Sequence, residues 1–417
     1  MLTNTPDNLS FAILDWANQK HKYVAYYSSN HPLYNKLPSW DCDEIFAFGA
    51  EKIISLANNN LDELDAFVSN NNQACFGYLG YDLKNELEVL KSENPDVINA
   101  PEMVFFVPEI ILEKSGNSIT VLKGEFDVSQ FSDVKYQSPK IDKIEFVPSL
   151  SKSEYLKKIK QVKQHIQFGN IYEANFCQQL TATKKQLDVV SLFYQQSLKS
   201  PTPFSAFLKL NNHVVLSASP ERYLQKTGNK LLSQPIKGTI KRGLNSLEDN
   251  QLKKQLSESL KDRTENIMIV DLVRNDLSKH AERLSVKVEE LCAIYTFPQV
   301  HQMISTITAQ AKPNVSSVQL IRDSFPMGSM TGAPKISAMK IMEELENFKR
   351  GIYSGAIGYF KQNGDFDFNV AIRTIVYNAD NGRLSYGVGG AITAMSTPED
   401  EYDECLVKAK SLFDLFE

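Results

Sequence analysis

Two pairs of acidic residues stand out by their spacing. Asp262 and Glu265 lie in LKDRTENIMIVDLVRNDL, and Glu401 and Glu404 repeat the interval in STPEDEYDECLVKAKSL. On a helix, residues i and i+3 share a face. Two such faces brought together offer hard carboxylate oxygens, which suit a Mg²⁺ ion that keeps several of its waters. Each pair alone also has a plainer explanation. Ser396 and Glu399 have the spacing of a capping box, and acids near a helix start complement its dipole. Lys237, in LLSQPIKGTIKRG, follows strand-like sequence and precedes Gly238 and Thr239. Facing a cavity it is a nucleophile or a fixed cation; at a sheet edge it deters aggregation. Glu221, in SASPERYL, is a lone acid after a strand. Arg373, in FNVAIRTIV, is a charge inside an apolar strand. If buried it needs an anion, such as a substrate carboxylate held bidentately.

The elements that must position these residues show the periods of both helix and strand. Ser151 and Glu154 have capping-box spacing, Leu156, Ile159, Val162 and Ile166 form a helical stripe, and Gly169 is a natural stop. IYEANFCQQL, residues 171–180, then alternates like a strand. Upstream, MVFFVPEIIL (103–112) is strand-like, FAILDWANQK (11–20) is helical, and GYLGYD (77–82) has the look of a turn. GSMTGAPKISAMKIMEELE (328–346) is a glycine loop entering a helix. Pro334 suits its first turn, Ile336, Met339, Met342 and Leu345 make its apolar stripe, and its free amides favour an anion. Ten of the 19 glycines fall between 328 and 390, so that stretch holds tight turns or close backbone approach to a ligand. The polar, Pro-interrupted run 136–153 is the one seam, which divides an N-terminal region, 1–148, from a region 149–417.

Composition narrows the function classes. With 42% apolar and 23% charged residues in 417, the chain can bury a sizeable core, and disorder is excluded as its main state. Forty-five basic against 50 acidic residues give a net charge of −5, without the basic excess of a nucleic-acid or anionic-membrane binder. No apolar run is long enough to span a bilayer. The five cysteines, Cys42, Cys75, Cys177, Cys292 and Cys405, are scattered and form no CxxC. Reduced thiols and a cytoplasmic location are expected. The first residues lack the pattern of a signal peptide. GxSxG, HExxH and GxGxxG are all absent. Acidic faces, Arg373 and glycine loops together suggest a magnesium-dependent site for a small anionic ligand.

SASPERYL, PIKGT, DLVRNDL, FPMGSMTGAPK, IYSGAIGYF, AIRT and the final GGAI…EY.E…KA occur in this order. In this the chain resembles the chorismate-utilising enzymes, a group that includes anthranilate, aminodeoxychorismate, isochorismate and salicylate synthases. The resemblance covers about 150–417 and reaches weakly to GYLGYD. It implies an α/β (α+β) fold of two large packed antiparallel sheets flanked by helices, with the N-terminal part interwoven. It implies Mg²⁺ on Glu265 and Glu404, with Asp262 and Glu401 holding the metal's waters. By the same resemblance Tyr353 and Arg373 clamp the enolpyruvyl carboxylate of chorismate. Gly389, Gly390 and Ala391 supply backbone amides, Gly238, Thr239 and Lys408 contact substrate, and Glu221 is the acid that protonates the leaving C4 hydroxyl.

Within the family, PIKGT resembles the aminodeoxychorismate synthase component I branch, whereas anthranilate synthases, the alternative, usually carry Ala in place of Lys237. The implied reaction is C4 amination of chorismate with ammonia, on the route to 4-aminobenzoate and folate. Lys237 would add at C2 and ammonia would then displace it, which needs a lysine of lowered pKa. Two positions depart from the wider family. Gln302 stands where a His tied to pyruvate elimination is common, and His301 one residue earlier faces the other way on a strand. Glu173 stands where isochorismate and salicylate synthases carry a water-activating lysine, which argues against water as the nucleophile. The chain shows no glutaminase nucleophile, so a partner glutamine amidotransferase is expected to deliver ammonia, with a separate lyase downstream.

Overall fold

A computed structural model describes residues 8–29, 42–56, 61–131, 134 and 136–416. Its strands gather into two antiparallel sheets, of eleven and ten strands among the described residues, counting Val147–Pro148 beside Glu173–Thr183 and Lys287–Thr296 beside Val300–Gln310, which lie off the orders that follow. The larger runs from Gly332–Ala333 through Glu173–Thr183, Arg383–Ile392, Thr374–Asn378, His213–Ser219, Phe204–Leu210, Tyr23–Ser28, Glu44–Phe48 and Ile110–Ser115 to Ser118–Lys123. The smaller runs from Ile236–Lys241 through Val300–Gln310, Lys230–Gln234, Arg222–Thr227, Phe366–Val370, Ala356–Phe360, Cys75–Leu79 and Met103–Val107 to Lys52–Leu56. N-terminal strands complete one end of each sheet, because Tyr23–Ser28 pairs with Phe204–Leu210 and Cys75–Leu79 pairs with Ala356–Phe360. The expected two-sheet, interwoven architecture is therefore present.

The central strands have both faces covered, so their sequences are continuous apolar runs rather than alternations. In MVFFV, Val104 and Phe106 point into the core between the sheets, where they meet Ala25, Tyr27, Leu208 and Val376 of the other sheet. Met103, Phe105 and Val107 point the other way into a second apolar cluster, where the Phe105 ring meets those of Phe360 and Phe368. The run MVFFVPEIIL is two strands, Met103–Val107 and Ile110–Ser115, and the chain changes sheets across Pro108 and Glu109. Pro lacks the amide that a ladder needs, so the strand ends there.

Several local expectations hold. The helix Lys152–Gln167 starts on a capping box in which Ser151 and Glu154 bond reciprocally. The strand Glu173–Thr183 follows it, and Asn8–Lys20 is helical. Others need correction. GYLGYD is a turn only in its second half, where Gly80 leads into the 3-10 helix Tyr81–Leu83; Gly77 lies inside the strand Cys75–Leu79, and a Cβ there would sit 1.9 Å from the Val104 carbonyl oxygen. Its glycine serves close strand approach. Ser396 does not cap the last helix. That helix, Pro398–Phe413, starts after Thr397, whose hydroxyl bonds Asp400, while Ser396 accepts from the Thr393 amide. Pro334 caps the helix Lys335–Leu345 from outside, and Ile336 is exposed, so the buried stripe is Ala338, Met339, Ile341, Met342 and Leu345.

Arg373 is not inside a strand. It lies between Phe366–Val370 and Thr374–Asn378 with φ +50°, a left-handed conformation uncommon for a residue with a Cβ. The apolar run through it is two buried strands interrupted by the chain's passage between sheets.

A buried ion pair locks the strand that follows Glu221. Arg222 bonds both carboxylate oxygens of Asp367 on the neighbouring strand at 3.0 and 3.2 Å and Gln234 at 2.6 Å. Its guanidinium also lies over the Phe204 ring. Removing one partner of such a pair leaves an uncompensated buried charge. Asp367→Asn is therefore expected to cost about 3–5 kcal/mol of stability, measured as a lower urea midpoint. An unchanged midpoint would show that Arg222 reaches solvent or a new acceptor.

Candidate active site

One end of the larger sheet, the edge of the smaller sheet and two helices converge on a group of charged side chains. Lys237 enters from the strand Ile236–Lys241. Its register against Val300–Gln310 slips between Ile236, opposite Ile304, and Thr239, opposite Gln302. The extra residue makes a bulge, a device that re-aims side chains. Gly238 occupies it with φ +95°, and a Cβ there would come within 2.9 Å of the Asp262 Cβ. Glycine is thus required twice over, by conformation and by space. Lys237 is turned inward and ends 3.4 Å from Glu173 Oε1.

The two acidic pairs sit on two different helices. Ser259 caps the first, Leu260–Ser278, and accepts from the Asp262 amide. Glu265 lies one turn further along and is buried. The second, Pro398–Phe413, brings Glu401, Glu404 and Lys408 onto one face. The Gly390 backbone faces all three, with Glu401 Oε2, Glu404 Oε1 and Lys408 Nζ each 3.5 Å from where a Cβ would be. Lys408 bonds Glu404 at 2.8 Å and the Gly389 carbonyl at 2.9 Å. Between the helices stands Lys261, 2.8 Å from Glu401, 3.8 Å from Glu404 and 4.0 Å from Glu265. Sequence spacing missed this lysine, although its place four residues before Glu265 was a signal.

The electrostatics follow from burial. Burial pushes the Glu265 carboxyl up to about 8, against the pull of Lys237 and Lys261. Lys408 holds Glu404 below its ordinary value. Burial raises Glu173 despite Lys237, and lifts Glu221 to about 7. At Lys237 burial opposes the charge, but Glu173, Glu265 and Glu221 outweigh it and hold the pKa above its ordinary value. The lowered pKa expected of a nucleophilic lysine is therefore not present in the resting site.

The donor set suits a divalent cation. Glu265 Oε1 and Glu401 Oε2 are buried without a hydrogen-bond partner, and all the candidate ligands are hard oxygens. Among the described residues no three His, Cys, Asp or Glu side chains are grouped closely enough to hold a metal ion, and the Lys261 ammonium lies among the carboxylates.

Arg373 faces a separate cleft of about 280 Å³, lined also by Thr202, Pro220, Phe297 and Gln302. Its backbone is held by bonds from Gln196 and the Ala218 amide to its carbonyl. No carboxylate reaches its guanidinium among the described residues, so an external anion is the natural partner. Gln302 Oε1, also buried, has no partner. Thr239 lies opposite Gln302, which joins this cleft to the strand that bears Lys237. Tyr353 is buried with its hydroxyl 3.6 Å from Cys177 Sγ and its ring packed where a Gly387 Cβ would be. Ala391 is buried opposite Asn175. His301 points away, bonded to Asp249 and Thr296.

The fold is also that of a known class. The crystal structure of anthranilate synthase component I from Streptococcus pneumoniae superposes with a TM-score of 0.79 over 88% of this chain and 91% of that one, at 24% identity. The chain matches the chorismate binding enzyme model over residues 22–414 and belongs to that family. It is 37% identical over 369 residues to the chloroplastic aminodeoxychorismate synthase of Arabidopsis thaliana, covering 81% of this chain and 40% of the relative. It is 34% identical over 371 residues to aminodeoxychorismate synthase component 1 of Escherichia coli, covering 84% of this chain and 80% of the relative. The chain thus spans less than half the length of the plant protein. No described helix is long and apolar enough to cross a membrane.

Glu221 provides a direct check on the electrostatics. The ordinary glutamate value near 4.5 applies to the unfolded chain, and burial lifts the folded value to about 7. The folded state then binds more protons in that window, so this residue makes stability fall as pH rises from about 4.5 to 7. A difference infrared titration against Glu221→Gln should show one protonated carboxyl that ionises near pH 7. Ionisation near pH 4.5 would mean that water reaches the group.

Proposed function

We propose that the chain is the chorismate-aminating component of an aminodeoxychorismate synthase, placing ammonia on C4 in the route to 4-aminobenzoate. The observation that carries this reading is Lys237, turned into a buried site by a glycine bulge, with Glu221 close enough to share its field. In this reading the Lys237 amine adds at C2 of the ring. Both ring double bonds shift, and the C4 hydroxyl leaves as water with the Glu221 proton. Ammonia then attacks C4, the double bonds shift back, and the C2–lysine bond breaks. Arg373 and Tyr353 serve the enolpyruvyl carboxylate, with Thr239, Gly238, Gly389, Gly390, Ala391 and Lys408 around the ring and its groups. With Gln302 in place of the His tied to pyruvate elimination, the enolpyruvyl group stays on the product.

Glu265 and Glu404 would hold Mg²⁺ directly, and Asp262 and Glu401 its waters. When bound, the ion supplies positive charge for the ring carboxylate. The five cysteines are all buried, and burial raises each thiol above its ordinary value. None has the character of an activated nucleophile. Glutamine hydrolysis is therefore assigned to a glutamine amidotransferase partner, and the overall enzyme to the glutamine- or ammonia-dependent transferases.

The test is product identification with chorismate, Mg²⁺ and excess ammonium. The expected product keeps the enolpyruvyl group and yields 4-aminobenzoate with an added lyase; fluorescent anthranilate would replace this reading by C2 amination. Lys237→Ala should lower C4 amination by about 10²-fold or more, and full activity in that variant would remove the covalent route. Calorimetric titration should show that Glu404→Ala weakens Mg²⁺ binding by at least about 10-fold. Unchanged affinity would place the ion elsewhere.

A further inference from the structure

The resting site holds its nucleophile in the wrong protonation state. An ammonium has no lone pair, and the Glu173 carboxylate 3.4 Å away stabilises its charge. The proton must move to a nearby group before the amine can attack. The acids that face Lys237 are Glu173 and Glu221, with Glu265 and Glu404 from the two helices. Glu221 is needed in its protonated form to release the C4 hydroxyl, so it cannot also be the acceptor. Glu265 and Glu404 are the candidate metal ligands. Glu173 alone is free of another task and is the one within ion-pair distance, with Oε1 3.4 Å from Nζ.

We propose that Glu173 is a catalytic base that takes the proton from Lys237 before attack and returns it when the lysine is released. The inference deepens the amination reading and rests on it. Glu173 Oε2 is buried without a hydrogen-bond partner, so the carboxylate keeps an open site for a proton. Its backbone is fixed. Glu173 pairs with Ala333, and a Cβ on Gly332 would lie 2.2 Å from the Glu173 carbonyl oxygen. Burial independently raises the basicity of the carboxylate.

The protons balance. Lys237 gives one to Glu173, and its neutral amine forms the C2–N bond as Glu221 protonates the departing hydroxyl. The adduct nitrogen is then a secondary ammonium, Glu173 is neutral and Glu221 is ionised. Ammonia forms the C4–N bond as the C2–N bond breaks. The released amine recovers its proton from Glu173, and the new C4 ammonium returns one to Glu221. The net change is ammonia in and water out.

Single-turnover experiments without ammonia isolate the step. The adduct on Lys237, chorismate less water, is followed by acid quench and intact-protein mass spectrometry across pH. In Glu173→Gln, adduct formation near neutral pH should fall by about 10²–10³-fold, within the usual range for a general base. Chorismate affinity should be retained, the rate should recover as rising pH deprotonates the lysine unaided, and Glu173→Asp should restore part of it. Wild-type rates in Glu173→Gln would overturn the proposal. So would a loss without recovery at high pH, because it would mark a positioning role. If Glu173→Gln does not fold, the wild-type and Glu173→Asp profiles decide, since a base whose reach changes must alter the neutral-pH rate. Absence of both adduct and C4 amination in the wild type would instead bring down the amination reading itself, with this inference.

Discussion

The structure is organised around the cost of burying like charges. Six carboxyls, those of Glu173, Glu221, Asp262, Glu265, Glu401 and Glu404, converge with only three ammonium groups, Lys237, Lys261 and Lys408. In a low-dielectric interior such an excess cannot persist in fully ionised form. The protein meets the constraint in two ways. Some acids are pushed toward their neutral form, as Glu265 at about 8 and Glu221 at about 7 show. Others are held charged by a dedicated cation, as Lys408 holds Glu404. A group kept neutral can donate a proton, and a group kept charged can hold a metal or an ammonium. The division of labour in the site is therefore an outcome of the same electrostatic constraint.

The two-sheet frame makes that convergence possible. Glu173 comes from the strand next to the edge of one sheet and Lys237 from the edge strand of the other, so the pair joins the two sheets. Glycine permits the approach where side chains would forbid it. Gly238 lets the Lys237 strand lie on Asp262, Gly332 lets the short edge strand lie on Glu173, and Gly390 opens room before Glu404. The clustering of glycine in the sequence thus reflects strand and helix contact around the site more than a supply of turns.

Much of this was legible in the sequence, and the failures are instructive. The acidic pairs were visible because helical periodicity is local, and both helices formed as the spacing required. Lys261 was missed because its strongest partner, Glu401, is far along the chain, and no local pattern encodes a contact between two helices. Glu173 was visible only as a departure from a family pattern. Its meaning depends on the bulge that turns Lys237 toward it. Arg373 was misplaced into a strand because residues buried on both faces give no alternation to mark where one strand ends. Gly77 has the look of a turn for a different reason, since a close strand approach and a chain reversal both ask for glycine.

The two ends of the site differ in kind, and the difference constrains what fits between them. At one end, acids and lysines crowd together and can move protons. At the other, Arg373 and Gln302 line a cleft in which no acidic partner meets the arginine among the described residues. The half-buried Arg373 has Tyr386 rather than a carboxylate as its charge-stabilising neighbour, and its left-handed backbone adds a cost. Such a residue is tolerated where a ligand completes it. The strand that carries Thr239 and Lys237 runs from one end to the other, so on the proposed reading a ligand anchored by its anion at Arg373 would present the rest of its body to Lys237 and the acids. Anchoring far from the reacting bond converts binding energy into orientation. On that reading Arg373 would serve orientation, while the acids and lysines at the other end would serve proton transfer.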